Sequence, residues 1–193
     1  SFLDKVEAPS IAEQVAIYRS VFARFSGRRV VVRTLDAGSD KALPFLNYGE
    51  EAANPALGIR GFRMADFYPQ VFHDQLKAIK EAAAFEAAEV WVMAPMITTV
   101  EEARSFARAA HDSSLPVLGV IIETPAAAMQ ADQILAEVDF ASIGSNNLAQ
   151  YTFAADRQSA SLARLNDPWQ PALLRMIEMV ARAASASAKP VGV

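Results

Sequence analysis

The sequence predicts an α/β protein built on parallel strands. Short, nearly continuous apolar runs alternate with longer segments in which apolar residues recur at helical spacing. Strands that are buried on both faces and joined by helical crossovers produce this alternation. The length of 193 residues predicts a single domain over residues 1–193 with a sizeable core, and the 52% hydrophobic and 21% charged residues are typical of a globular protein. Two architectures fit: an open doubly wound sheet and a (β/α)8 barrel.

The first third of the chain begins with a helix and a strand. Residues 10–26 carry a broad apolar face, and Ser10 followed three residues later by Glu13 has the pattern of a capping box. Val30–Val32 follow as a buried strand, and the loop AGSDKALP comes after it. GIRGFRM, residues 58–64, is a weaker strand candidate.

The rest of the chain repeats the order of helix and strand. The predicted segments are a helix at 71–87, a strand at 89–96, the helix TTVEEARSFARAA, a strand at 116–124, the helix PAAAMQADQILAE, the strand VDFASIG, a helix at 171–188 and a strand in KPVGV. Pro95 is expected to end one of these strands. Thr98 or Thr99 is expected to cap the helix that follows, and Pro125 suits the first turn of the next helix.

Polar side chains stand where predicted strands end. Arg33 and Asp36 follow VVV, Glu123 follows GVII, and Asn146 and Asn147 follow ASIG. In both candidate architectures the carboxyl ends of the strands lie at one edge, where ligands bind. Arginines hold phosphate or carboxylate groups, and carboxylate and amide oxygens suit Mg²⁺. The pattern therefore predicts a site for an anion together with a divalent cation.

Each of these residues also has a purely structural interpretation. Asn147 alone is more typical of a helix cap than of a ligand. Arg33 can form a salt bridge to Asp36 at the edge of the sheet. Glu123 is harder to explain structurally, because a carboxylate at the end of a buried strand needs a partner.

Several classes of function are disfavoured by composition. The net charge of -4 argues against nucleic acid as the main partner. No cysteine is present, so neither a disulfide framework nor a thiolate metal site can form within the chain. No apolar run approaches the ~20 residues of a membrane span, and the sequence SFLDKVEAP lacks the features of a signal peptide. The sequence predicts a cytoplasmic protein with no membrane partner.

Five motifs occur in the order of a known family. They are VVVRTLDAGSDKALP, NPALGIRGFR, APMITTVEEAR, GVIIETPAAA and SIGSNNLAQYTFAADR. Together they resemble the phosphoenolpyruvate-binding domain of Enzyme I of the bacterial phosphotransferase system. Pyruvate phosphate dikinase and phosphoenolpyruvate synthase share this domain, but RTLDAGSDK and SNNLAQYTFAADR are more similar to Enzyme I.

The resemblance implies a (β/α)8 barrel that binds phosphoenolpyruvate and Mg²⁺. It further implies transfer of the phosphoryl group to a histidine on a separate domain of the same protein, then to a histidine-containing carrier protein, and a homodimer. It assigns substrate binding to Arg33, Lys41, Arg60, Asn146 and Arg157, and metal binding to Glu123 and Asn147. The expected function is the first step of the phosphotransferase system.

Three departures from the family pattern accompany the resemblance. The first and eighth barrel strands are expected to be missing, and the family's proton-donating cysteine would follow Val193. The family usually has Asp where this chain has Asn147. The chain alone is therefore expected to be inactive. Alternative interpretations are a fragment of the dikinase or the synthase, and a regulatory module with weakened catalysis.

Overall fold

The structure is a computed structural model that describes residues 7–37, 43–46 and 53–193. These residues form two compact units. The first contains the described residues within Ser1–Ala94 together with Arg108–Val117, and the second contains Pro95–Ala107 and Leu118–Val193. The prediction of one domain over residues 1–193 stays a prediction.

The strands follow one another in the sheet in the order in which they occur in the chain. They are β1 Arg29–Arg33, β2 Glu89–Ile97, β3 Leu118–Ile122, β4 Phe140–Ile143 and β5 Val191–Gly192, in the order β1-β2-β3-β4-β5. The pairs β1–β2, β3–β4 and β4–β5 are parallel. A doubly wound sheet reverses its strand order at a switch point, whereas the strands of a (β/α)8 barrel keep chain order. The α/β class and the barrel type of strand succession are therefore confirmed.

Helices separate the strands, as the apolar spacing predicts. The α-helices within the described residues are α1 Ile11–Phe22, α2 Met64–Phe67, α3 Pro69–Ala83, α4 Val100–Asp112, α5 Pro125–Met129, α6 Ala131–Glu137, α7 Ser145–Thr152 and α8 Pro171–Ala186. Short 3-10 helices occur at Ala23–Phe25, Pro55–Leu57, Gly61–Arg63 and Ala160–Asn166. None of the helices in the described part of the chain is long and apolar enough to cross a membrane.

Two predicted helix caps are confirmed. The Ser10 hydroxyl accepts from the backbone N–H of Glu13, and the Glu13 carboxylate accepts from the backbone N–H of Ser10, so the capping box is complete. At α4 the hydroxyl of Thr99, rather than that of Thr98, accepts from the backbone N–H of Glu102 over 3.1 Å.

The prediction that Val30–Val32 form a buried strand is wrong, since Val31 is 42% exposed and Val30 and Val32 are half-buried. Three further local predictions are wrong. Residues 58–64 do not form a strand: Gly61 has a φ of 57°, which turns the chain into a 3-10 helix and then into α2. Pro95 does not end β2, which continues to Ile97, because the fixed φ of proline is compatible with an extended backbone. The segment PAAAMQADQILAE is not one helix but two, because Gln130 leaves helical geometry with a φ of -113°.

In the first unit a glutamine connects two helices to the segment that follows β1. The side chain of Gln75, on α3, donates to the hydroxyl of Tyr18 on α1 over 2.9 Å. Its carbonyl oxygen accepts from the backbone N–H of Leu35 over 2.8 Å. The chain between Arg33 and Asp36 is thereby attached to the packed pair of α1 and α3.

The second unit is built around a fully buried strand. Every residue of β3 is buried, and α8 packs against α5, α6 and α7. Lys189, just after α8, donates to the carbonyl oxygens of Leu135 and Val138 at the end of α6. A lysine at this position satisfies carbonyls that have no partner within their own helix.

Candidate functional site

The first unit contains two arginines that share one aspartate, named here the arginine–aspartate cluster. Arg33 Nη1 lies 3.4 Å from Asp36 Oδ2, and Arg60 Nη2 lies 3.5 Å from Asp36 Oδ1. The side chains of Asp36 and Arg60 are 3% and 2% exposed, whereas that of Arg33 is 47% exposed. The cluster therefore combines a buried ion pair with one arginine that reaches solvent.

Backbone hydrogen bonds hold the segments that carry this cluster. The N–H of Gly61 donates to the carbonyl of Ala37 over 3.2 Å, joining the residues that follow Arg60 and Asp36. The N–H of Thr34 donates to the carbonyl of Met93, which extends the pairing of β1 with β2 past Arg33. The predicted salt bridge between Arg33 and Asp36 is present, and it leaves the ligand-binding interpretation open.

The second unit contains a buried chain of polar groups, named here the amide–carboxylate cluster. Glu123, 4% exposed, accepts from the backbone N–H of Met96 on Oε2 over 2.9 Å. Its Oε1 accepts from Asn147 Nδ2 over 2.8 Å. Arg157 Nη1 in turn donates to Asn147 Oδ1 over 3.2 Å. A single amide thus connects a buried carboxylate to a guanidinium group.

The backbone at the end of β2 is strained where it meets Glu123. Met96 has a φ of 59°, a left-handed conformation that side chains other than glycine rarely adopt. In this conformation its N–H points at the carboxylate of Glu123. Strain of this kind costs of order 1–3 kcal/mol, and here it accompanies the backbone hydrogen bond that holds the Glu123 carboxylate.

The absence of a side chain at Gly144 leaves room for the carboxylate of Glu123. A Cβ atom at position 144 would lie 2.5 Å from Glu123 Oε1 and 2.6 Å from Glu123 Cγ, distances that real Cβ contacts do not show. Sequence reasoning missed both Gly144 and Met96. The signal for Gly144 was present, because a glycine directly follows β4 and lies two residues before the pair of asparagines.

The two adjacent asparagines have different surroundings. The N-cap of α7 is Gly144, and no side chain forms a cap hydrogen bond there. The interpretation of Asn147 as a helix cap is therefore wrong. Asn147 is buried against Glu123, whereas Asn146 is exposed.

A second residue of α7 supports Arg157. The side-chain carbonyl of Gln150 accepts from the backbone N–H of Arg157 over 3.0 Å. Gln150 and Asn147 are three residues apart, so they lie on one face of the helix. This face of α7 therefore holds both the backbone and the guanidinium of Arg157. Gln150 is a further supporting residue that sequence reasoning missed.

The structure brings the predicted site residues together in two groups. Arg33 and Arg60 meet on Asp36 in the first unit, and Arg157 meets Asn147 in the second. Lys41 lies outside the described residues. The assignment of all these residues to substrate or metal binding stays a prediction.

The donor set for a divalent cation is small. Within the described ranges no three His, Cys, Asp or Glu side chains come together as a metal site. Glu123 offers one carboxylate. Rotation of the Asn147 amide would turn Oδ1 toward that carboxylate, so that oxygens of both side chains would face one cation. Mg²⁺ is usually bound through one or two carboxylates and completes its shell with waters and substrate phosphate. The two side chains therefore fit a Mg²⁺ ion that takes most of its ligands from substrate and water.

The fold and the polar residues at the strand ends define the structural class of the protein. The protein is an α/β protein with the strand succession of a (β/α)8 barrel and with arginine, carboxylate and amide groups after its strands. The sequence matches the family described as "PEP-utilising enzyme, PEP-binding domain" over residues 1–193, and the chain belongs to that family.

Several relatives of the chain carry the name phosphoenolpyruvate-protein phosphotransferase. The protein from Streptomyces coelicolor is 48% identical over 191 residues, which are 98% of this chain and 34% of that protein. The protein from Haloferax volcanii is 43% identical over 197 residues, 95% of this chain and 34% of that protein. The chain thus spans about a third of the length of these relatives. A solved structure of a HpcH/HpaI aldolase/citrate lyase family protein from Burkholderia cenocepacia has a TM-score of 0.47 at 15% identity, covering 99% of this chain and 81% of that one.

Proposed function

We propose that this chain binds phosphoenolpyruvate and Mg²⁺ as part of a phosphoenolpyruvate-protein phosphotransferase. Family membership and the shared name of the relatives support this proposal. The observation that carries it is the connection of Glu123 to Arg157 through Asn147. A phosphate ester bound with a divalent cation needs a carboxylate for the cation and a guanidinium for the phosphate, and the amide–carboxylate cluster places both around one buried amide.

The anionic substrate explains the number of cationic side chains. Phosphoenolpyruvate carries a phosphate and a carboxylate, so its binding requires several positive charges. The proposed substrate-binding residues are Arg33, Lys41, Arg60, Asn146 and Arg157. Arg33 suits direct contact because its side chain is half-exposed while Nη1 pairs with Asp36.

Glu123 and Asn147 are the proposed Mg²⁺ ligands. When bound, the cation neutralises negative charge on the phosphoryl group. Before binding, both oxygens of Glu123 accept hydrogen bonds from Met96 and Asn147, so the carboxylate is already fixed in place. Such preorganisation lowers the cost of assembling a charged site.

The proposed reaction is phosphoryl transfer to a histidine on a separate domain of the full-length protein. The bond from phosphorus to the enol oxygen breaks, a phosphorus–nitrogen bond to the imidazole forms, and the enolate takes up a proton to give pyruvate. A histidine-containing carrier protein would then receive the phosphoryl group, as the first step of a cytoplasmic phosphotransferase system for sugar uptake. We also propose that the full-length protein is a homodimer, and that this chain alone releases no pyruvate.

Calorimetric titration of phosphoenolpyruvate into this chain with excess Mg²⁺ tests the proposal. We expect saturable binding that Arg33→Gln weakens about tenfold or more, since a hydrogen bond between two charged groups is lost. Arg182→Gln is the matched control, because Arg182 pairs only with Glu178 among the ion pairs of the described residues, on the exposed side of α8. Absence of binding by the folded wild-type chain, or an equal loss in both variants, would contradict the proposal.

A regulatory module with weakened catalysis is the second candidate. The observation that favours it is that the neutral amide of Asn147 contacts Glu123 at the position where the family usually has Asp. The full-length protein distinguishes the two candidates. Steady pyruvate formation with a histidine-containing carrier protein supports the enzyme, and phosphoenolpyruvate binding without turnover supports the regulatory module.

A further inference from the structure

We propose that Asp36 is a positioning residue that aims the guanidinium of Arg33 at the anionic ligand. This inference rests on the proposed function. It goes beyond that function because it gives a role to Asp36, an anion whose charge alone would repel the ligand. Its two carboxylate oxygens are divided between two arginines: Oδ1 faces Arg60 and Oδ2 faces Arg33. One carboxylate thereby links a buried cation to an exposed one.

The burial of each group determines its role in this arrangement. Arg60 and Asp36 are almost completely buried, so their ion pair is shielded from solvent and fixed by packing. Arg33 is 47% exposed, and an exposed ion pair of this kind contributes little to stability. The ordered carboxylate of Asp36 therefore restricts the orientation of Arg33, while the Arg33 side chain, 47% exposed, stays accessible to a ligand.

The backbone makes the carboxylate of Asp36 a rigid support. Gln75 binds the N–H of Leu35 on one side of Asp36, and Gly61 binds the carbonyl of Ala37 on the other. The residue is thus held from both neighbours and through its side chain by Arg60. Arginine side chains lose considerable rotamer entropy on ordering, and a preorganised arginine loses less of it when the ligand binds.

The direction in which Asp36→Asn changes the affinity for phosphoenolpyruvate distinguishes positioning of Arg33 from a purely electrostatic effect of Asp36. If Asp36 acted on the ligand only through its charge, Asp36→Asn would remove a repulsion and tighten phosphoenolpyruvate binding. If it positions Arg33, the same change releases the guanidinium and weakens binding. Asp36→Glu keeps the charge but moves the carboxylate by one methylene, so positioning predicts weaker binding here too.

Titration of phosphoenolpyruvate with excess Mg²⁺ into the wild-type chain and both variants tests the inference. We expect affinity to fall about tenfold in Asp36→Asn, the loss typical of one misplaced charged hydrogen bond, and to fall in Asp36→Glu. Glu89→Gln is the control for charge, because Glu89 pairs with Arg29 at the opposite end of β1 and is exposed. Its affinity should equal that of the wild type.

The titration also separates positioning from stability. A merely structural role lowers the stoichiometry, which reports the folded fraction, but leaves the affinity of the folded molecules unchanged. Unchanged or tighter binding in Asp36→Asn, or unfolding of both variants, would overturn the inference. Failure of the wild-type chain to bind would instead count against the proposed function on which the inference rests.

Discussion

Asn147 Nδ2 lies 2.8 Å from Glu123 Oε1, so a neutral amide directly contacts a buried carboxylate. An amide can donate to a carboxylate and accept from a guanidinium at the same time, and Asn147 does both, because its Oδ1 accepts from Arg157. An aspartate in the same place could only accept. The residue at position 147 therefore determines whether Glu123 Oε1 receives a hydrogen bond from this side chain or faces a second carboxylate.

We predict that Asn147→Asp binds Mn²⁺ about tenfold or more tightly than the wild type in the absence of substrate. The change removes the hydrogen bond to Glu123 and places two carboxylates together, an arrangement that a divalent cation stabilises. Without the cation the free energy of unfolding should fall by roughly 1.5–3 kcal/mol, the range for a lost hydrogen bond to a charged group. Calorimetric Mn²⁺ titration and thermal melts with and without Mn²⁺ measure both effects.

The neighbouring amide supplies the control for this prediction. Asn146→Asp introduces the same charge one residue away, on an exposed side chain. It should change Mn²⁺ affinity much less than Asn147→Asp does. Equal Mn²⁺ affinities for the wild type and Asn147→Asp would show that the Asn147 side chain does not contact the metal.

We predict that Gly144→Ala destabilises the protein by about 1–3 kcal/mol and weakens Mn²⁺ binding. The added Cβ would overlap the carboxylate of Glu123, which would have to leave its hydrogen bonds to Met96 and Asn147. Gly192→Ala is the matched control, since a Cβ there meets nothing within 4 Å. Urea unfolding of both variants measures the difference. Equal stabilities would show that the Glu123 carboxylate does not depend on a glycine at position 144.

We predict a loss of stability at alkaline pH that depends on Tyr18. Burial raises the pKa of the Tyr18 hydroxyl above its ordinary value, and the hydrogen bond from Gln75 opposes this shift. Because the folded pKa exceeds the unfolded one, the stabilisation is complete below the unfolded pKa of about 10 and is lost as pH rises through the folded value. Urea unfolding between pH 8 and 11 should show a shallower decline in Tyr18→Phe than in the wild type; parallel curves would contradict this assignment.

Local patterns predicted the elements well, and long-range contacts explain the failures. The capping box at Ser10 and the apolar run of β3 depend on neighbouring residues, so they can be read from the sequence. The turn at Gly61 depends on a positive φ that the sequence permits but does not require. The break at Gln130 lies between α5 and α6, which both pack against α8 through contacts that are distant in sequence.

The candidate site was predictable in its residue types but not in its connections. Arginine, carboxylate and amide residues after apolar runs indicated Arg33, Glu123 and Asn147. The hydrogen bond from Met96 to Glu123 joins backbone to side chain across 27 residues, and no periodicity carries that information. The contact of Asp36 with Arg60 is also long-range, because Arg60 follows Asp36 by 24 residues, and local sequence patterns do not reveal it.

The most direct test of the central claim is the Mg²⁺ dependence of phosphoenolpyruvate affinity in the wild-type chain and in Glu123→Gln. Calorimetric titration with and without Mg²⁺ gives both affinities, with Glu101→Gln on the exposed face of α4 as the control for charge. If Glu123 holds the cation beside the substrate, Mg²⁺ should increase the affinity of the wild type and of the control about tenfold or more, and that of Glu123→Gln much less. Binding that is independent of Mg²⁺ in the wild type, or that responds to Mg²⁺ equally in Glu123→Gln, would contradict the account.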